Sequence, residues 1–168
     1  MRVIKDNQVV EDGWQRVEIT EAEPQLPAGD IIVPFAYWQQ HKAELTGRGD
    51  GRVAVCVNGD DPIEDVVRDL QHFPLIALDF PAFRDGRNYS NARLLRDRYG
   101  YRGELRAVGD VLRDQLFYLR RCGIDSFQVR ADKDIEDALS GLADFSVTYQ
   151  TAADGAVPVY KTRLKGLD

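Results

Sequence analysis

Arg84 and Arg87 lie three residues apart and bracket Asp85 in the stretch Phe83-Arg84-Asp85-Gly86-Arg87-Asn88-Tyr89-Ser90. Guanidinium groups present a planar fork of donors that matches the oxygens of phosphate, sulfate or sulfite. A helix starting near Asn88–Ser90 adds free backbone N–H groups and the positive end of its dipole. Arg84, Asp85, Arg87, Tyr89 and Ser90 therefore form a candidate oxyanion pocket. The same residues admit a second reading, in which Arg84 or Arg87 pairs with Asp85 or Asp79 and stiffens the loop.

The loop opens a segment of unusual charge. Residues 84–121 hold ten arginines against five acids, about +5, in a chain whose formal net charge is -6. Such a cluster inside an acidic protein points to an anionic ligand or an acidic partner. On the helix expected over 89–99, Ala92, Leu95 and Tyr99 share one face, so Arg93, Arg96 and Arg98 project from the others. Arg93 and Arg96 are candidate partner contacts, and Arg113 a candidate anion binder. Asp110 is read first as a helix N-cap. If the chain is an enzyme, Asp79, Asp85 and Asp110 are its proton handlers. Nucleic-acid binding through 84–121 fits poorly, because acids interrupt the arginines and the whole chain is negative.

Other chemistry is thinly represented. Cys56 sits in an apolar run and reads as a buried small hydrophobe. Cys122 follows Arg120-Arg121, which favour a thiolate, but it ends a helix, which disfavours one. Two cysteines and two histidines give no zinc or iron–sulfur spacing. There is no dinucleotide fingerprint, P-loop or nucleophile elbow. No cofactor is expected.

These residues need a scaffold, and the apolar pattern describes one. Short runs at 31–33, 53–57, 75–78, 105–108 and 127–129 alternate with helical periodicity at about 36–46, 62–72, 89–99, 111–122 and 134–144. Apolar strands alternating with helices indicate a mostly parallel sheet of about five βα units. Small antiparallel hairpins are expected at both ends, over residues 2–17 and 146–160. An open doubly wound sheet is the first expectation, with a half-barrel completed by dimerisation as the alternative. In parallel sheets, ligands collect at the carboxyl ends of the strands. That edge includes Asn58-Gly59-Asp60-Asp61, Asp79, the 83–87 loop and Asp110. His72 falls at the opposite edge. The 168 residues suit a single α/β domain. No signal peptide or membrane span is visible, so a cytoplasmic protein is expected.

Three stretches resemble a known family. They are Asp85-Gly86-Arg87 with Tyr89-Ser90 and Ala92-Arg93-Leu94-Leu95-Arg96; Tyr99-Gly100-Tyr101 with Gly103 through Leu112; and Arg113-Asp114-Gln115-Leu116 with Leu119 and Arg121-Cys122-Gly123. Together they are similar to a bacterial family of unknown function labelled as oxidoreductases involved in sulfite reduction. Its members are typically encoded beside assimilatory sulfite reductase. The resemblance implies an accessory role in that pathway. It implies binding to the reductase, to its electron donor or to sulfite itself, and any redox centre would belong to the partner. It carries no catalytic residues with it.

Overall fold

The computed structural model describes residues 1–20 and 24–165. Its centre is an eight-stranded sheet. The strands are β1 (Arg2–Lys5), β2 (Gln8–Glu11), β3 (Gln15–Arg16), β4 (Ile31–Pro34), β5 (Val53–Val57), β6 (Leu75–Phe80), β7 (Glu104–Gly109) and β8 (Ser126–Phe127). Their spatial order is β2-β1-β8-β7-β6-β5-β4-β3. From β3 to β8 every neighbouring pair is parallel, whereas β1 is antiparallel to both β8 and β2. The helices are α1 (Phe35–Thr46), α2 (Ile63–Val67), α3 (Arg87–Asp97), α4 (Leu116–Arg121), α5 (Ile135–Ser140) and α6 (Val159–Lys165).

Five βα units are present, but the sheet is not doubly wound. Strands β3 to β8 lie side by side in chain order. Crossovers of a single hand then place every connecting helix on the same face. The packing agrees. Phe35 and Trp38 of α1, Leu95 of α3 and Leu116 of α4 share one core with Ile31, Val55, Leu78 and Leu105. The opposite face carries a smaller cluster built on Trp14, Ile32, Cys56, Ala77 and Val108.

The sheet has to curl. Laid flat, its two edge strands would be about 34 Å apart, seven spacings of roughly 4.8 Å. Yet β2 and β3 are those edges, and only Asp12, Gly13 and Trp14 join them. Four peptide steps reach about 14 Å. The chain therefore bends the sheet into a half-barrel and crosses its concave side. Three residues thus span the open side of the half-barrel at that end of the strands.

A buried ionic network fastens the crossing. Arg106, on the concave face of β7, donates to both carboxylate oxygens of Asp12, at 2.6 and 3.0 Å. It also donates to Glu104 at 2.9 and 2.7 Å. Lys5 of β1 completes the chain, 2.7 Å from Glu104. The Arg106 and Asp12 side chains are only 2% and 3% exposed. Burial pushes the Glu104 carboxyl up, but the Lys5 hydrogen bond and the Arg106 charge outweigh it and hold it below the usual range.

The terminal elements differ from expectation in two ways. The first hairpin forms, turning on Asp6 and Asn7 at φ 52 and 58°, the left-handed pair of a type I′ turn. But Trp14–Val17 does not continue it. Its strand, β3, runs parallel to β4 at the far edge. Residues 146–158 hold no assigned strand, and 159–165 turn into α6 rather than closing a hairpin. Among the described residues, no helix is long and apolar enough to cross a membrane.

Removing Asp12 leaves a buried guanidinium short of its partner. Asp12→Ala should destabilise the fold by about 3–5 kcal/mol, and pairing it with Arg106→Met should restore much of the loss. Urea denaturation of the single and double variants checks this. Glu104 is held down in the folded state, so its contribution is present at neutral pH and fades as pH falls through and below the carboxylate range. Lys5→Met should reduce that acid-side loss, measured as midpoints from pH 7 to 3.

Candidate functional site

The loop that follows β6 turns back over the carboxyl edge and delivers Arg87 to the first turn of α3. Every nitrogen of the Arg87 guanidinium is occupied there. Nε and Nη2 grip Asp85 at 2.9 and 2.6 Å, and Nη1 contacts Asp60. The Asp85 hydrogen bonds lower its carboxyl to about 2. Asp85 also accepts from the Arg87 backbone N–H, covering part of the helix start. Gly59 makes room for this arrangement: a Cβ there would sit 2.7 Å from Arg87 Nε. Arg84 and Ser90 are exposed, and Tyr89 packs edge-on against Phe80, with ring centroids 5.3 Å apart. Arg84, Asp85, Arg87, Tyr89 and Ser90 are thus neighbours, with Arg87 engaged by acids.

Asp110 joins this edge, though not as a helix cap. Its two oxygens accept from the Phe83 N–H at 3.0 Å and from Arg130 Nη1 at 2.7 Å. The other predicted residues lie elsewhere. Arg93 pairs with Asp97 along α3. Arg96, expected to project outward, is 10% exposed. It binds the carbonyls of Gly123, Tyr101 and Gly103 and the carboxylate of Asp125, each at 2.7–2.8 Å. Arg113 ties Ser140 and Asp144 to the start of the turn before α4.

The arginine cluster is therefore largely internal wiring. Its excess of about five positive charges meets acids from outside the segment. Asp60 takes Arg87, Asp125 takes Arg96, Asp12 takes Arg106, Asp144 takes Arg113 and Asp154 takes Arg121.

A second feature of the carboxyl edge was not anticipated. A cleft of about 530 Å³ opens between the start of β1, β3, the end of β7 and the segment after β8. Arg2, Arg16, Arg130 and Lys133 line it, together with Gly109 and Asp134. Asp134 is committed to capping α5, accepting from the Glu136 N–H at 2.8 Å. Each cation is braced by a carboxylate outside the lining: Arg16 by Asp79 at 3.1 Å, Arg130 by Asp110 and Asp132, Arg2 by Glu136 at 3.2 Å, and Lys133 by Asp132 at 3.5 Å. Hydrogen bonds to Asp132 and Asp110 raise the Arg130 pKa. Gly109 forms the floor at φ +96°, where a Cβ would also lie 2.5 Å from the Phe80 carbonyl oxygen. Arg130 and Lys133 follow β8, the last of the parallel strands, and were within reach of the carboxyl-edge rule. Arg16 was not, because its strand carried no sign that it would pair in parallel.

Comparison with known proteins places the chain. Residues 54–160 match the model of DUF934, described as a bacterial protein of unknown function. The chain belongs to that family. The match spans β5 through the start of α6, so it takes in the arginine segment and the Arg130–Lys133 side of the cleft, while Arg2 and Arg16 lie before it. No curated protein matches the chain, and neither does any solved structure.

Among the described residues, no group of three or more histidines, cysteines and acids is placed to hold a metal. Burial raises the Cys56 thiol to about 11. Burial also raises Cys122, despite the opposing charges of Arg93 and Arg121. Both thiols should stay protonated and slow to react at neutral pH. A disulfide reagent should label the native protein slowly at pH 7.5 and both cysteines rapidly in denaturant. Fast native labelling of Cys56 would contradict its placement.

Proposed function

We propose that the protein serves assimilatory sulfite reduction as an accessory that binds an oxyanionic ligand of that pathway at the carboxyl-edge cleft. One observation carries the site: four cations line the cleft while the carboxylates that brace them stay outside its lining. The resemblance of residues 83–127 to the sulfite-reduction label supports the pathway. The alternative of docking the reductase, or its electron donor, through the arginine segment draws less support, because five of its arginines meet acids from elsewhere in the chain. A small enzyme acting on an anionic substrate remains the second reading. It is favoured by Asp79, which stands beside Arg16 and is 14% exposed.

The binding role follows from donor chemistry. Among the described residues, Arg16 makes one hydrogen bond, to Asp79, so most of its fork is left for a ligand. Asp79 fixes the guanidinium before the anion arrives, which lowers the ordering cost of binding.

A clean deletion strain should fail to grow on sulfate or sulfite and recover on sulfide or cysteine. Complementation by Arg16→Gln should be weaker than by the unaltered gene. Normal growth of the deletion strain on all four sulfur sources would remove the pathway assignment.

A further inference from the structure

We infer that the ligand of this cleft is an organic molecule with two separated anionic groups, rather than one small oxyanion. This rests on the reading that the cleft binds anions. Size is the first argument. A sulfite ion has four heavy atoms and the bulk of about two waters, roughly 60 Å³. The cleft offers about 530 Å³, within the usual range for small-molecule sites.

The placement of the cations is the second. Arg2 belongs to β1, Arg16 to β3, and Arg130 and Lys133 to the segment after β8. Their braces are separate too. Asp79 is in β6, where it pairs with Val108, and Asp110 lies just past the end of β7. Arg16 and Arg130 are anchored to two different carboxylates, Asp79 and Asp110. Two anionic groups spaced by a carbon body meet both guanidiniums where they already are.

The wall between the cations is the third. Val129, Ala131 and Ile135 line the cleft beside the charges, and Gly109 contributes no side chain between the two anchor strands. That surface suits the body of an organic ligand, as small-molecule sites pair apolar walls with a few placed polar groups.

Calorimetry at fixed ionic strength, with fructose 1,6-bisphosphate, fructose 6-phosphate and sulfite as probes, tests this. The bisphosphate should bind about tenfold more tightly than the monophosphate, the effect of one further charge-assisted contact of about 1.4 kcal/mol. Arg16→Gln should erase that advantage. Lys133→Gln, at an exposed side chain, should weaken both phosphate ligands without disturbing the fold. Equal affinity for the two sugar phosphates would overturn the inference, as would an advantage that survives both variants. Sulfite binding without either sugar phosphate would also overturn it while leaving the cleft an oxyanion site. Binding of none of the three would remove both readings.

Discussion

The bidentate contact between Arg106 and Asp12 holds the rest of the structure in shape. Only three residues separate the two edge strands, and one of them is Asp12. Anchoring that residue to the floor of β7 fixes how far the sheet curls and which way the crossing runs. Glu104 and Lys5 extend the same contact to β1, so both ends of the half-barrel are referred to one buried group. A buried ion pair is a poor source of net stability compared with apolar packing. Its value here is positional, because a guanidinium with two carboxylates accepts one geometry where an apolar contact would accept several.

The same logic runs through the remaining arginines. In a chain this acidic, a run of positive charge has many carboxylates within reach, and folding brings them together. Arg96 does more than neutralise Asp125. It collects three backbone carbonyls, those of Tyr101 and Gly103 between α3 and β7 and that of Gly123 after α4. Carbonyls left over at such junctions need a donor. A single guanidinium with five N–H groups supplies several at once. The density of arginine therefore reflects junctions that need many donors, and charge at the surface is a by-product.

Much of the scaffold was legible in the sequence. Strands β4 to β8 and the helices between them followed from apolar runs broken by helical periodicity, since both patterns are local. Gly123 follows α4, where its φ of +99° suits a residue without a side chain. Sheet order was not legible. Whether successive strands add to one side or wind both ways depends on the hand and direction of each crossover, and no short stretch of residues records that. Gln15–Arg16 shows the limit most clearly, because two residues cannot announce which strand they will join. The site was readable where it lies on the chain's own loops, as with Asp85 and Arg87. It was hidden where it draws on residues as distant as Arg16 and Arg130.

The pairing of β1 has a temporal side. Ile4 sits opposite Phe127, so the first strand synthesised has one of its neighbours among the last. Until that neighbour leaves the ribosome, the opening hairpin has only its own two strands, which are marginal alone in water. Contacts this far apart in sequence slow folding, because a long loop must close before they repay its entropy. The parallel core from β3 to β7 can form earlier, leaving β7 as an unpaired edge until β8 arrives. A nascent chain paused before residue 127 would therefore present that edge to whatever chaperone stands at the exit.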